Sequence, residues 1–432
     1  MVSKNYWLFL LFNFFEQMIE NMETSVEKQM DTSDIISDRL MSLSDSQTFV
    51  MAQKSRDMRA KGIDVITLSI GEPDFDTPEH IKDAARKAIA EKEYTAYPPV
   101  SGYADLKQAI SEKFKKDNNL DYSPEQIVVS NGAKHSIANT VLSIINHGDE
   151  VIVPVPFWVS YREIVKLAGG KNVIIKATLE NDFKITPEQL ENAITHRTKL
   201  FFFNSPSNPT GSVYTREEIK ALAEVLAKHP RIFVISDEIY EHINFIGKHE
   251  SFAQFPEIKD RVITVNGVSK AYAMTGWRVG YIGAPAVIAK AITKIQGQMT
   301  SGVCGIAQRA ALAALTSPKS MPSIEKMRDK FKSRRDLVLD LMAEIPGLKN
   351  NTPKGAFYVF PDISSFFGKA YGKYKIEDAN SLCDYLLEEG HVALVSGTAF
   401  GSPDNFRFSY AASEAELEEA LKRIKATLSK LS

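Results

Sequence analysis

Residues 265–281 read VNGVSKAYAMTGWRVGY, and the reading of the whole chain turns on them. Lys270 stands between Ser269 and Ala271 in largely small and apolar surroundings, and Arg278 follows with Gly276 and Gly280 on either side of it. The apolar run ahead, residues 261–266, predicts a strand leading into a small-residue loop. Lysine is a poor choice for such a place unless its amine does chemistry. Desolvation lowers a lysine's pKa and leaves a neutral nucleophile able to condense with a carbonyl. An arginine close behind, with glycines that let backbone approach, suits a phosphate dianion. A carbonyl-trapping lysine beside a phosphate cradle points to pyridoxal 5′-phosphate, PLP. Taken alone, the stretch could also be an ordinary solvated lysine and arginine in a loop.

Outward from it the chain alternates. Strands are expected over 126–130, 151–155, 172–175, 199–204, 233–236 and 262–265, with helices over 160–168, 187–193 and 215–228 between them. Residues 71–78, GEPDFDTP, form a turn-rich loop whose Pro78 opens a helix to about residue 92. Residues 94–103 carry tyrosines, prolines and glycine and should be irregular. The loop NGAK at 131–134 begins another helix, to about residue 146. This rhythm predicts an α/β fold, a mostly parallel sheet covered by helices on both faces. Ligands in such sheets sit beyond the C-terminal strand ends, where Lys134, Asn208, Asp237 and Lys270 all fall.

Near Pro322 the rhythm changes. A charged helix over 324–343, strands over 356–360, 393–395 and 405–409, and amphipathic helices over 376–389 and 414–431 predict a smaller α+β domain. A short apolar run at 65–70 and a helix over 35–61 precede the large domain. The expected division is an extension at 1–30, an N-terminal segment of the small domain at 31–75, a large PLP-binding domain at 76–322 and the small C-terminal domain at 323–432.

The 432 residues can bury a large core. Apolar and charged fractions of 44% and 25% are those of an ordinary globular protein. A net charge of −2 gives no case for nucleic acid. Cys304 and Cys383 make no disulfide framework, and a reducing compartment, the cytoplasm, fits them best. The apolar run at 7–15 is too short to span a bilayer and lacks a small-residue cleavage site after it. It reads as a non-essential extension, with Met22, Met30 or Met41 as other starts, so no membrane association is expected. No metal site is expected either.

Two further stretches narrow the chemistry. SPSNPTG, residues 205–211, follows the strand at 199–204, and SDEIY, residues 236–240, ends a wholly apolar strand. Either has a plain explanation: a tight turn for the first, a helix cap by Asp237 for the second. All three stretches at strand ends in one chain are hard to explain that way. Together SPSNPTG, SDEIY and GVSKAYAMTGWRVG resemble the signatures of class I aminotransferases of PLP fold type I. The resemblance runs from about Ser42 to the C-terminus and is closest to bacterial aspartate aminotransferases that read AMTGWR after the lysine.

The resemblance implies a role for each matched residue. Lys270 would hold PLP through its amine and serve as the catalytic base. Asp237 would pair with the pyridine nitrogen, and Tyr240 and Asn208 would hydrogen-bond the phenolic oxygen. Trp158 would stack on the ring, although a core aromatic would look the same in sequence. Arg278, Ser269 and the amides of Ala133 and Lys134 would bind the phosphate, with Tyr97 reaching it from the other subunit of a homodimer. Tyr97 could instead be a packed loop residue. Arg407 would clamp the substrate α-carboxylate, unless it is a strand-end salt bridge, and Gly71 would offer backbone to the same group. The implied reaction is amino transfer between L-aspartate and 2-oxoglutarate, with small amino acids and 2-keto acids as partners. The alternative is a broader aminotransferase acting on prephenate, aromatic amino acids or alanine, or another PLP reaction such as β-elimination. A regulatory role is disfavoured by the absence of a helix-turn-helix or basic segment.

One departure stands out. In the other aspartate aminotransferase subgroup a partner-chain arginine beyond the lysine takes the distal carboxylate, and residues 299–308 hold no arginine. Arg309 lies just past them in what reads as a helix and is a weak candidate. Lys134 is the cation expected to take the distal carboxylate, with Ser46 as a helper. Lys134 could also be a solvated lysine at a helix start.

Overall fold

The computed structural model describes residues 35–432, so the extension at 1–30 and the apolar run within it lie outside the described residues. The chain divides into a first unit ending at Ser44 and a second from Asp45 to Ser432. In the first, Asp38–Met41 is one short helix started by Ser37, whose hydroxyl oxygen accepts from the Leu40 amide at 3.4 Å. In the second, helix α1 covers Gln47–Ala60. The single helix expected over 35–61 is therefore two. The serines and aspartate at 42–46 compete with helical carbonyls and amides for hydrogen bonds, which favours helix ends there.

The second unit runs on through β1 (Ile66–Thr67), α2 (Glu79–Ile89), α3 (Ala104–Asn118), β2 (Ile127–Ser130), α4 (Ala133–Ile144), β3 (Glu150–Val155), α5 (Ser160–Leu167), β4 (Lys171–Lys176) and α6 (Pro187–Ala193). Next come β5 (Thr198–Asn204), α7 (Arg216–Ala227), β6 (Phe233–Asp237), β7 (Val262–Gly267), β8 (Gly280–Gly283), α8 (Ala286–Met299), α9 (Gly305–Thr316) and α10 (Ser320–Ala343). The C-terminal part holds β9 (Tyr358–Val359), α11 (Ala379–Glu388), β10 (Val392–Ala393), β11 (Val395–Ser396), β12 (Phe406–Ser409) and α12 (Glu414–Leu428).

Seven strands make the main sheet in the order β2-β8-β7-β6-β5-β3-β4. Strands β7, β6, β5, β3 and β4 are parallel, as the βα rhythm predicts. Strand β8 is antiparallel to both neighbours and was not foreseen. Its four residues, Gly-Tyr-Ile-Gly, carry too little pattern to separate from the glycine-rich loop before them. Side chains alternate across the sheet, so β5 sends Phe201 and Phe203 to one face and Phe202 to the other. The first face packs on α3, α7 and α9 through Leu106, Leu222 and Ala310. The second packs on α4, α5 and α8 through Ile137, Ile164 and Ile292. With both faces covered, these strands read as apolar runs.

A separate core joins Met51 of α1 to Phe331 and Val338 of α10, Tyr358 of β9, and Phe406 and Phe408 of β12. β1 pairs in parallel with β10, which ties the segment after α1 to the C-terminal elements. The short strands are trimmed relative to expectation. Only Ile66–Thr67 of 65–70 and Tyr358–Val359 of 356–360 pair. The helix expected from 376 starts at Ala379, because the Asp378 carboxylate accepts from the Ser381 amide at 2.9 Å. Among the described residues no helix is long and apolar enough to cross a membrane.

Candidate active site

The C-terminal ends of β2, β5, β6 and β7 open into a cavity of about 470 Å³. Lys270, Asp237, Tyr240, Asn208, Trp158, Ser269, Arg278, Gly71, Ala133, Lys134 and Arg407 all line it, and so does Ser46. Thus residues separated by most of the chain converge on one cleft.

Lys270 follows β7. Its Nζ donates to the Gly71 carbonyl at 2.6 Å. Burial lowers the amine's pKa to about 8, against the pull of Glu72 and with the help of Arg407 and Arg278. Such an amine is neutral far more often than a surface lysine near neutral pH. Asp237 ends β6, and no helix follows it, so it is not a helix cap. Its Oδ2 accepts from the Tyr161 hydroxyl at 2.6 Å and its Oδ1 from the Ile239 amide at 3.3 Å. Burial still outweighs these bonds and pushes the carboxyl up to about 6.

Asn204, at the end of β5, ties two of these pieces together. Its Nδ2 donates to the Asp237 carbonyl at 2.9 Å, and its Oδ1 accepts from the Asn208 amide at 2.9 Å. Asn208 Oδ1 in turn accepts from Arg407 Nη1 at 3.0 Å. Arg407 Nη2 donates to the Ser69 carbonyl at 2.6 Å, and its Nε is buried without a partner. Its guanidinium lies between the rings of Tyr358 and Phe400, at 4.6 and 5.0 Å from their centroids. The Tyr240 and Tyr358 hydroxyls are 2.8 Å apart.

At the other end of the cleft, α4 begins at Ala133 after Gly132, whose φ of +84° favours glycine. A Cβ on Gly280 would fall 2.2 Å from the Ala133 amide nitrogen. Strand β8 therefore presses directly on the free amides of the helix start. Arg278 holds a left-handed φ of +56°, and its Nη1 donates to the Thr275 carbonyl at 2.7 Å. A guanidinium beside helix-start amides is an anion cradle. Lys134 Nζ lies 5.0 Å from the Trp158 ring centroid and 5.9 Å from that of Phe49. Burial, then the charge of Arg278, lowers its pKa.

Two residues stand elsewhere. Tyr97 is 93% exposed and outside the cavity lining, so it is not a packed loop residue within this chain. Arg309 is committed to Asp105 at 2.5 and 2.7 Å and stacks between Tyr94 and Tyr103, which removes it from substrate binding. Sequence reading missed Tyr161, Asn204 and Tyr358.

The donor set fits PLP: an amine of lowered pKa, a buried carboxylate, an indole and an anion cradle, all on one cleft. The chain matches the family model for aminotransferase class I and II over residues 63–424. It belongs to that family. This aminotransferase is 49% identical over 400 residues to the aspartate/prephenate aminotransferase of Cereibacter sphaeroides, covering 92% of this chain and 99% of the relative. It is 46% identical over 389 residues to the aspartate aminotransferase of Bacillus subtilis, covering 90% and 97%. Among solved structures it is similar to the aspartate aminotransferase of Rhizobium meliloti, at a TM-score of 0.88 and 44% identity, covering 92% of this chain and 99% of that one. It is also similar to that of Thermus thermophilus with maleate, at 0.85 and 41%, covering 91% and 99%. The aminotransferase works with PLP, as its family does.

Proposed function

We propose that this aminotransferase transfers the amino group of L-aspartate to 2-oxoglutarate, giving oxaloacetate and L-glutamate. One observation carries the reading: two separate cations, Arg407 and Lys134, face the same cleft as Lys270. A substrate with a carboxylate at each end suits that pair. Relatives named aspartate aminotransferase, and one solved with maleate, a dicarboxylate, support it.

When bound, PLP supplies the electron sink that makes a substrate α-C–H bond acidic. The protein's own groups would do the rest. Lys270 would carry the cofactor and, once displaced, take the α-proton on Nζ and return it, as one base serving both directions. Asp237, steadied by Tyr161, would hold a proton on the ring nitrogen. Tyr240 and Asn208 would bond the ring oxygen, and Trp158 would stack on the ring. Arg278, Ser269 and the amides of Ala133 and Lys134 would hold the phosphate, and in a homodimer Tyr97 would reach the phosphate of the neighbouring subunit. Arg407 and the Gly71 backbone would take the α-carboxylate, and Lys134 the distal one. We further propose a large domain at 76–322 and a small one from 31–75 with 323–432; the core that Phe331 and Val338 of α10 share with β9 and β12 supports it. A cytoplasmic location fits the two unpaired cysteines.

A second reading is favoured by the setting of Lys134. An ammonium is a point charge without the fork of arginine, and here it stands between Trp158 and Phe49. Bulkier dicarboxylates such as prephenate fit that description, and one relative is named for both substrates. The test is a donor panel with the purified protein against 2-oxoglutarate. Aspartate should be the fastest donor, with parallel lines in double-reciprocal plots at varied acceptor. Alanine or phenylalanine outpacing aspartate would overturn the first reading, and prephenate accepting nitrogen from glutamate would establish the second.

A further inference from the structure

Tyr358 lies among the groups just described, yet no catalytic role falls to it. It is 1% exposed, on β9, and comes from a part of the chain far from the lysine loop. Three contacts meet on its side chain. Its hydroxyl is 2.8 Å from that of Tyr240. Its ring faces the Arg407 guanidinium at 4.6 Å. Its hydroxyl also sits where a Cβ on Gly71 would be, at 2.0 Å, and the Gly71 carbonyl is the group that accepts from Lys270. The ring and hydroxyl thus touch the supports of three separate functions.

The geometry points to Tyr358 as a positioning residue that couples the α-carboxylate clamp to the ring-oxygen ligand: its ring sets the plane of Arg407 while its hydroxyl orients that of Tyr240. The inference rests on the aminotransferase roles proposed above for Arg407 and Tyr240. The chemistry follows from what each group has to spare. Among the described residues Arg407 has no ion-pair partner, and its two bonded nitrogens hold only the Asn208 side chain and the Ser69 carbonyl. Stacking against Tyr358 and Phe400 holds the guanidinium plane with its remaining N–H groups presented edge-on to a carboxylate. Tyr240 has one hydroxyl proton. When it gives that proton to the cofactor's ring oxygen, its own oxygen accepts from Tyr358, and a hydroxyl that accepts a bond is a stronger donor. Tyr358 would therefore favour negative charge on the ring oxygen of bound PLP and lower the pH at which the bound cofactor's absorbance changes. The other charged groups at this site are Lys270, Asp237, Lys134, Arg278 and Glu72, and none of them is replaced in a Tyr358 variant.

The two halves of the coupling separate in two variants of the holoenzyme. Tyr358→Phe keeps the ring and removes the hydroxyl. Tyr358→Leu removes both. The readouts are the pH midpoint of the bound cofactor's absorbance band and the split of kcat from KM with L-aspartate and 2-oxoglutarate. In the Phe variant the midpoint should rise by about half to one pH unit, the scale of one neutral hydrogen bond, and kcat should fall more than KM rises. The Leu variant should show the same midpoint shift and, in addition, KM raised about fivefold or more for both substrates alike, as expected when a cation loses its aromatic support. Wild-type protein with no pH-dependent absorbance band would overturn the proposed function itself. A normal wild-type band with an unmoved midpoint in the Phe variant would overturn the hydroxyl's role. An unmoved KM in the Leu variant would overturn the ring's role. If the Leu variant does not fold, the Phe titration alone decides the hydroxyl's role, and Tyr358→Met, which removes the ring but fills similar length, decides the ring's role: an unmoved KM there would overturn it.

Discussion

Burial holds the Asp237 carboxyl at about 6, above the 3.8 of a free aspartate. A carboxyl raised on folding stabilises the folded chain most below its unfolded pKa, and that contribution is lost as pH rises through the folded one. The cofactor-free protein should therefore lose stability as pH rises from 3.8 through about 6. With PLP bound as proposed, a protonated ring nitrogen beside Asp237 would reverse this, because it would pair with the ionised form. The gap between holo and apo melting temperatures should widen across that window, measured by calorimetry. A constant gap would mean that Asp237 does not face the ring. Lys134 offers a second test at this scale. Lys134→Met should lower kcat/KM for aspartate and 2-oxoglutarate by at least about tenfold, since a desolvated charge pair is worth about 2–5 kcal/mol, and leave alanine and phenylalanine little affected. An equal fall for all donors would assign Lys134 to the phosphate instead. Lys270, Asp237 and Asn208 were legible because each sits in a contiguous motif at a strand end. Tyr358 and Tyr161 were not, because their partners lie 118 and 76 positions away and their residue type is common in any core. Arg309 was legible as helical, but its pairing with Asp105 needed the tertiary structure.

At the scale of elements, the cradle proposed for the phosphate is a junction of β8 with the start of α4. The helix supplies free amides only if the strand can approach closely, and Gly280 is what permits it. Gly280→Ala would drive a Cβ to 2.2 Å from the Ala133 nitrogen and push the helix start away. We expect PLP affinity to fall by about tenfold or more, the worth of one charge-assisted hydrogen bond, with far-ultraviolet circular dichroism unchanged. Undiminished affinity, measured by fluorescence titration of apoprotein, would show that these amides do not hold the phosphate. The main helices were legible from their period, and the structure adds the capping boxes of Thr186 and Thr215 that start two of them. Strand β8 and the break before α1 were not, since a four-residue strand and a serine-rich turn carry little periodic signal.

For the whole molecule, Tyr97 is the residue that asks for a second subunit. Its side chain is 93% exposed, which leaves it free for the contact with a neighbouring subunit proposed above. Mixing inactive Tyr97→Ala with inactive Lys270→Ala should restore part of the activity, because each hybrid dimer keeps one complete site. Hybrids demonstrated by mass spectrometry but without activity would refute shared sites. One property of the main sheet bears on how such an enzyme can vary. Gly267 and Gly280 are direct neighbours across β7 and β8, so the loop carrying Lys270 leaves and re-enters the sheet at a single point. Both of the grips assigned to this loop, one through an amine and one through a guanidinium, hang on that closed loop. An insertion or deletion between these two glycines should therefore abolish cofactor binding even where it leaves the sheet intact.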